Sequence, residues 1–346
     1  MVEHFWLGMA VVFFAGVLNG SFTLPMKYSR QWAWENTWLA FALGSLLVLP
    51  WVLAAGFVPQ LSQVYRGVGW RTLLYPMIFG FLWGIAQTTF GLAIRAVGMA
   101  LAFAIVCGLV CLTGSLVPLL AFNSTDLLRP QGLMLLISMP ILLFGLALYG
   151  KAGHRRQNEQ APPQSGGNEV RGSFKAGLAI CIFTGIFGSN WNLGFAFSGN
   201  ILRRSLELGA SPVTATYAVW ALVLSAGFVP NFLYCVFLLF RRRTWRLFSQ
   251  ENWPREMGLA VAMALLWVTA IVSYGIGATF VGKYGTSVGF TLYIAATILA
   301  SNVLGFLTGE WKATSPGTKR LLAAGVAITL LSVIVLNLGG LFSGSR

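Results

Sequence analysis

The chain has 346 residues, 57% of them hydrophobic and only 9% charged, with a mean hydropathy of +0.75. A water-soluble chain carries roughly 25% charge, so this composition excludes an ordinary soluble enzyme or binding module. The formal charge of +14 is gathered between apolar stretches, which points to membrane orientation and lipid headgroups and away from a nucleic-acid partner.

Ten apolar stretches of about twenty residues, the length that crosses a bilayer, are predicted as helices, because lipid gives the backbone no other hydrogen-bond partner. The first runs from Phe5 to Leu24 and carries Asn19 near its end. It has no basic leading segment and no small-residue cleavage pattern, so it reads as a retained helix and not a signal peptide. The second, Thr37 to Phe57, is preceded by Glu35, and the third, Leu73 to Arg95, carries Trp83, Gln87, Thr88 and Thr89. In the fourth, Met99 to Ala121, Cys107 and Cys111 lie one turn apart. No histidine joins them. These two cysteines, like Cys181 and Cys235, read as small apolar packing, with neither a metal nor a disulfide expected. Asn123-Ser-Thr125 is an N-glycosylation sequon, and the fifth stretch runs from Gly132 to Gly150.

Residues 151–173 are polar and contain Ala161-Pro-Pro-Gln-Ser-Gly-Gly167, the composition of a flexible linker. They divide the chain into a first half, 1–150, and a second half, 174–346. The sixth stretch, Phe174 to Phe197, carries Asn190-Trp191-Asn192, and the seventh runs from Pro212 to Phe240. The eighth, Glu256 to Ala278, carries Ser273 and Tyr274. The ninth, Thr286 to Leu307, carries Tyr293, Ser301 and Asn302, and the tenth runs from Lys319 to Leu341. Between the eighth and ninth, Gly277-Ala-Thr-Phe-Val-Gly282-Lys283 has phosphate-loop spacing. Tyr284 stands where a magnesium-binding hydroxyl is required and no strand precedes, so no nucleotide or other cofactor is expected.

Five helices per half is an odd number, so related halves would be inverted in the membrane. Setting 83–98 against 267–282 pairs Trp83 with Trp267, Ala86 with Ala270, Phe90 with Tyr274 and Gly91 with Gly275. The expected fold is an all-α integral membrane protein of ten transmembrane helices in two inverted five-helix repeats. Sixteen of the 23 basic residues fall on the side of the first connection, among them Lys27, Lys151, Arg155 and the Arg241–Arg243 run. By the positive-inside rule that side is cytoplasmic, which places both termini outside.

Amides and hydroxyls inside lipid are costly unless partnered. Asn19, Trp83, Gln87, Asn190, Asn192 and Tyr274 are therefore the expected lining of a central cavity. Neutral amides beside aromatic faces suit a neutral polyhydroxylated solute such as a sugar. The bland alternative is that these amides only join helices. None of the nine acidic residues is placed at mid-membrane. Glu35 and Glu310 are the proton-coupling candidates, and an interfacial ion pair of Glu35 with Lys27 or Arg30 competes with that role.

Pro25-Met-Lys27-Tyr-Ser-Arg30-Gln-Trp32-Ala-Trp34-Glu35-Asn36-Thr37-Trp38, followed by Leu49-Pro50-Trp51, resembles the L-rhamnose–proton symporter family, within the drug/metabolite transporter superfamily. The likeness continues in Trp83-Gly84, Phe90-Gly91-Leu92, Asn231 and Gly309-Glu310-Trp311-Lys312. It implies ten helices in two inverted repeats, location in the cell's inner membrane, and uptake of a sugar with a proton. Gln87-Thr88-Thr89-Phe90 departs from an Asn-rich, Tyr-containing family pattern, and Asn190-Trp191-Asn192 is more polar than its counterpart. Both departures bear on which sugar is carried. The competing functions are export of amino acids or metabolites and, more remotely, a membrane-embedded enzyme. An enzyme would gather His, Asp or Glu at one level.

Overall fold

The computed structural model describes residues 2–97, 99–160, 174–309 and 311–343, and no strand is present among them. The first helix, α1 (Val2–Ser21), ends in a 3-10 turn at Leu24–Tyr28. Next come α2 (Trp34–Ala42), a π-helical stretch at Leu43–Val48, and α3 (Leu49–Phe57), which together form one continuous rod. The π stretch ends two residues before Pro50, whose missing N–H removes one helical hydrogen bond and whose ring crowds the preceding turn. A short amphipathic helix, α4 (Leu61–Val68), leads into α5 (Trp70–Val97), α6 (Met99–Asn123) and α7 (Pro130–Gln160). The polar segment expected from residue 151 is thus still helical to Gln160; its remainder lies outside the described residues.

The second half begins with α8 (Phe174–Gly188) and α9 (Asn190–Ala196), separated at Ser189, and a short amphipathic α10 (Gly199–Glu207). It continues with α11 (Ala215–Arg242), α12 (Trp253–Val281), α13 (Phe290–Leu307) and α14 (Pro316–Ser343). Nine helical runs among the described residues are long and apolar enough to cross a membrane. One of them, Trp253–Leu307, spans 55 residues, far more than the ~20 needed for one crossing. It folds back on itself. Gly282 ends α12 at φ 79°, a conformation that only glycine adopts without strain.

Contacts with α1 give the directions of the two parts. Gly8 lies against Gly277 and Val281 of α12, while Ser29, beyond the other end of α1, bonds Glu256. Gly16 lies against Tyr293 and Ala296 of α13, and Gly20 against Ala300 and Ser301. So α12 runs antiparallel to α1 and α13 parallel to it. The same arrangement recurs around α8 and α9. They run antiparallel to α5, through Thr89–Thr184 and Gly194 against Phe79, and parallel to α6, through Thr113–Ser189 and Asn192–Gly114.

The remaining helices pair across the halves. The α2–α3 rod lies antiparallel to α11, with Trp38 Nε1 donating to Asn231 Oδ1 at 3.0 Å and Trp51 Nε1 to Ser225 Oγ at 2.7 Å. α7 lies antiparallel to α14, where Ser332 donates to the Ser138 carbonyl and Glu159 accepts from Ser315 and Thr318. Close approach by small residues holds α5 to α11. A Cβ on Gly80 would stand 2.0 Å from the Val223 carbonyl oxygen. Such contacts matter because lipid supplies no hydrophobic drive between helices.

Candidate functional site

Trp83 of α5 and Trp267 of α12 stack midway along their helices, with centroids 5.9 Å apart and planes 13° from parallel. Both are buried. From this level towards the face where α1 begins, the N-terminal face, the interior is aromatic. Trp191 sits among Trp220, Tyr274, Phe290 and Tyr293, with centroids 5.1 to 5.7 Å away.

Asn192 ties this cluster together. Its Nδ2 donates to the Gly114 carbonyl at 2.8 Å and the Thr286 carbonyl at 2.9 Å, and its Oδ1 accepts the Tyr274 hydroxyl. One side chain of α9 thereby joins α6, α12 and the start of α13. The break at Ser189 makes this possible. A lone turn there ends α8, and the Ser189 hydroxyl is taken by Thr113, so α9 restarts with Asn190 and Asn192 turned inward and buried. Ser115 Oγ and Thr291 Oγ1, 2.7 Å apart, add a further link between α6 and α13.

Towards the opposite face the polar groups are less engaged. Asn19 donates to Thr297 Oγ1 at 3.2 Å. Gln87 lies one turn beyond Trp83 on α5, half-buried, while buried Asn190 lies level with Trp83, and neither has a side-chain partner among the described residues. The six residues expected to line one cavity thus fall into two sets. Trp83, Asn192 and Tyr274 are packed into interhelical contacts, while Gln87 and Asn190 keep free amides and Asn19 makes one long bond.

The acidic residues are more deeply placed than a reading of loop positions suggests. Glu35 is fully buried in the first turn of α2, where it accepts Arg242 Nη1 at 3.2 Å and Thr244 Oγ1 at 2.8 Å. Its cation is therefore Arg242, neither Lys27 nor Arg30; Lys27 instead donates to Thr308 Oγ1. Glu310 lies outside the described residues. Glu256, which sequence reasoning passed over, is buried and accepts the Ser29 hydroxyl and the Arg30 and Gln31 backbone N–H groups. It holds the connection after α1 to the start of α12.

Asp126 is also buried. It takes Lys283 Nζ at 2.6 Å, Tyr284 Oη at 3.1 Å and Arg129 Nε at 2.8 Å. Lys283 of the near phosphate-loop is therefore committed to a carboxylate. The sequon's Asn123 donates its amide to the Lys283 carbonyl at 3.0 Å, which leaves that nitrogen engaged within the protein. No local pattern marked Asp126 or Glu256, because each is buried by a loop distant in sequence. All four cysteines are free thiols. Among the described residues no three His, Cys, Asp or Glu side chains gather as a metal site.

Residues 1–342 match the family model of the L-rhamnose-proton symport protein. The chain belongs to that family. It is therefore a multi-pass membrane protein of a transporter family and not an enzyme. It is 25% identical over 343 residues to the L-rhamnose-proton symporter of Mannheimia succiniciproducens, covering 96% of this chain and 97% of that protein. The symporters of that name from Cronobacter sakazakii and Yersinia pestis are 23% and 24% identical, each covering 92% of this chain and 93% of the relative.

Proposed function

We propose that the protein is a secondary transporter of the cell's inner membrane that takes up a neutral sugar, rhamnose or a close relative, together with a proton. The observation that carries this reading is the family match along 342 residues, supported by relatives whose name states both sugar and proton. The sugar site lies between the groups α1, α12, α13 and α5, α6, α8, α9, with Asn19, Gln87 and Asn190 donating to and accepting from hydroxyls. Trp83, Asn192 and Tyr274 line the same space once it opens towards the N-terminal face. Glu35 is the proton-coupling candidate on this reading, as the fully buried carboxylate whose partners, Arg242 and Thr244, belong to the second half; Glu310 keeps the same candidacy.

The fold we propose is ten transmembrane helices in two inverted repeats, 1–150 and 174–346, joined by the linker 151–173. Three features support it. The fold-back at Gly282 turns nine apolar runs into ten crossings. The neighbours of α1 (α12 antiparallel, α13 parallel) correspond to those of α8–α9 (α5 antiparallel, α6 parallel). Finally, Trp83 and Trp267, equivalent in the sequence repeat, meet each other, as residues beside a two-fold axis do. Both termini are placed outside by the basic-residue asymmetry. Single reporter cysteines at Ser165 and Ser345 test this: impermeant reagent applied to intact cells should label the second and spare the first.

The function itself is tested by radiolabelled uptake into membrane vesicles against a sugar panel, with and without an imposed pH gradient. Accumulation of rhamnose or a related neutral sugar only with the gradient is expected. Absence of uptake for every sugar in the panel overturns the substrate assignment.

A further inference from the structure

The hydrogen bonds and ion pairs between the group α1, α12, α13 and the group α5, α6, α8, α9 are not spread evenly through the membrane. Those found among the described residues all lie on the N-terminal side of the Trp83–Trp267 pair: Tyr274 to Asn192, Asn192 to the Thr286 carbonyl, Ser115 to Thr291, and, outermost, the loop contacts of Asn123 and Asp126. Towards the opposite face the polar bonds stay within each group, Asn19 to Thr297 in the first and Thr89 to Thr184 in the second. The protein is therefore shut at its N-terminal face. The outermost of these contacts joins two sequence motifs that no other function has absorbed, the sequon after α6 and the glycine-lysine turn after α12.

The geometry points to Asp126 and Lys283 as the latch that closes the N-terminal entrance, making them positioning residues for transport that never touch the sugar. Asp126 sits on the turn that leaves α6, and Lys283 on the turn between α12 and α13, so their bond ties one group of helices directly to the other. Four contacts converge on these two short turns: Lys283 Nζ and Tyr284 Oη on the Asp126 carboxylate, Arg129 holding its other oxygen, and the Asn123 amide on the Lys283 carbonyl. Arg129 and Asp126 move as one unit because both belong to the same connection. Lys283 and Tyr284 likewise move together. Opening the entrance must separate the two units, and it must do so one layer above Asn192 and the aromatic cluster. Lys283 keeps half of its side chain exposed, so the pair is reachable from that face and can be remade without desolvating a cation fully.

This assignment rests on the transporter reading above, and a labelling test that needs no substrate separates the two. Reporter cysteines are placed at Ser115, buried beneath the latch, and at Gln87, on the other side of the Trp83–Trp267 pair. Each is combined with Asp126→Asn and with Lys283→Met, at matched membrane levels, and reaction with a small impermeant thiol reagent is measured from both faces. Release of the latch should raise labelling at position 115 from the N-terminal face severalfold and lower labelling at position 87 from the opposite face. Unchanged labelling at position 115 in both variants overturns the assignment. A rise at both reporters also overturns it, because that marks general loosening and a merely structural ion pair.

Discussion

Trp83 and Trp267 stack with centroids 5.9 Å apart and planes 13° from parallel, and they are the residues that pair when 83–98 is set against 267–282. An offset aromatic stack contributes about 0.5–1.5 kcal/mol beyond its buried area. In a double-mutant cycle, Trp83→Leu and Trp267→Leu should therefore couple by about that amount. Thermal or denaturant unfolding in detergent measures it. Strict additivity would show that the two rings merely share a neighbourhood.

Asn192 should be a stability hot spot as well as a functional one. Asn192→Ala removes the donor to two buried carbonyls and the acceptor of a buried phenol, a loss of about 1–3 kcal/mol. A fall in melting temperature of several degrees is expected, with lower active uptake. An unchanged melting temperature would mean that these helices do not depend on that side chain to stay joined.

Gln87 and Asn190 should behave in the opposite way. With no side-chain partner among the described residues to lose, Gln87→Ala and Asn190→Ala should leave folding near its original level. Losing one neutral hydrogen bond to a sugar hydroxyl costs about 0.5–1.5 kcal/mol, roughly a two- to thirteenfold rise in KM. Initial-rate uptake at several sugar concentrations measures this. Unaltered kinetics in both variants at normal expression would remove these residues from the site.

Much of this was legible in the sequence because the solvent is lipid. Twenty uncharged residues admit one structure, so the all-helical membrane fold could be read directly, and the Trp-x-Trp-Glu block led to the family. Against the ten stretches expected, nine helical runs of sufficient length are present among the described residues. The burial of Asn190-Trp191-Asn192 also followed from the cost of amides in an apolar layer. What could not be read was which distant loop covers an end of a helix. Glu35 looked interfacial beside Lys27 and Arg30, yet its cation comes from Arg242 at the end of α11. Glu256 and Asp126 likewise acquire their burial from the connections after α1 and α12. Helix breaks were not foreseen. The π stretch at Leu43–Val48 lies just before Pro50, and nothing local announces the interruption at Ser189.

Glu35→Gln separates coupling from carriage. The amide can still meet the Thr244 hydroxyl but cannot neutralise Arg242 or release a proton. Exchange of labelled for unlabelled sugar should persist, while accumulation driven by a pH gradient should be lost. A variant that still concentrates sugar would take Glu35 out of the proton path.

The most direct test of proton-coupled sugar uptake is the pH of a weakly buffered suspension of de-energised cells when sugar is added. Addition of rhamnose or the preferred neutral sugar should alkalinise the medium as each sugar enters with a proton, and cells lacking the protein should show no change. Sugar entry with no accompanying pH change would contradict proton coupling.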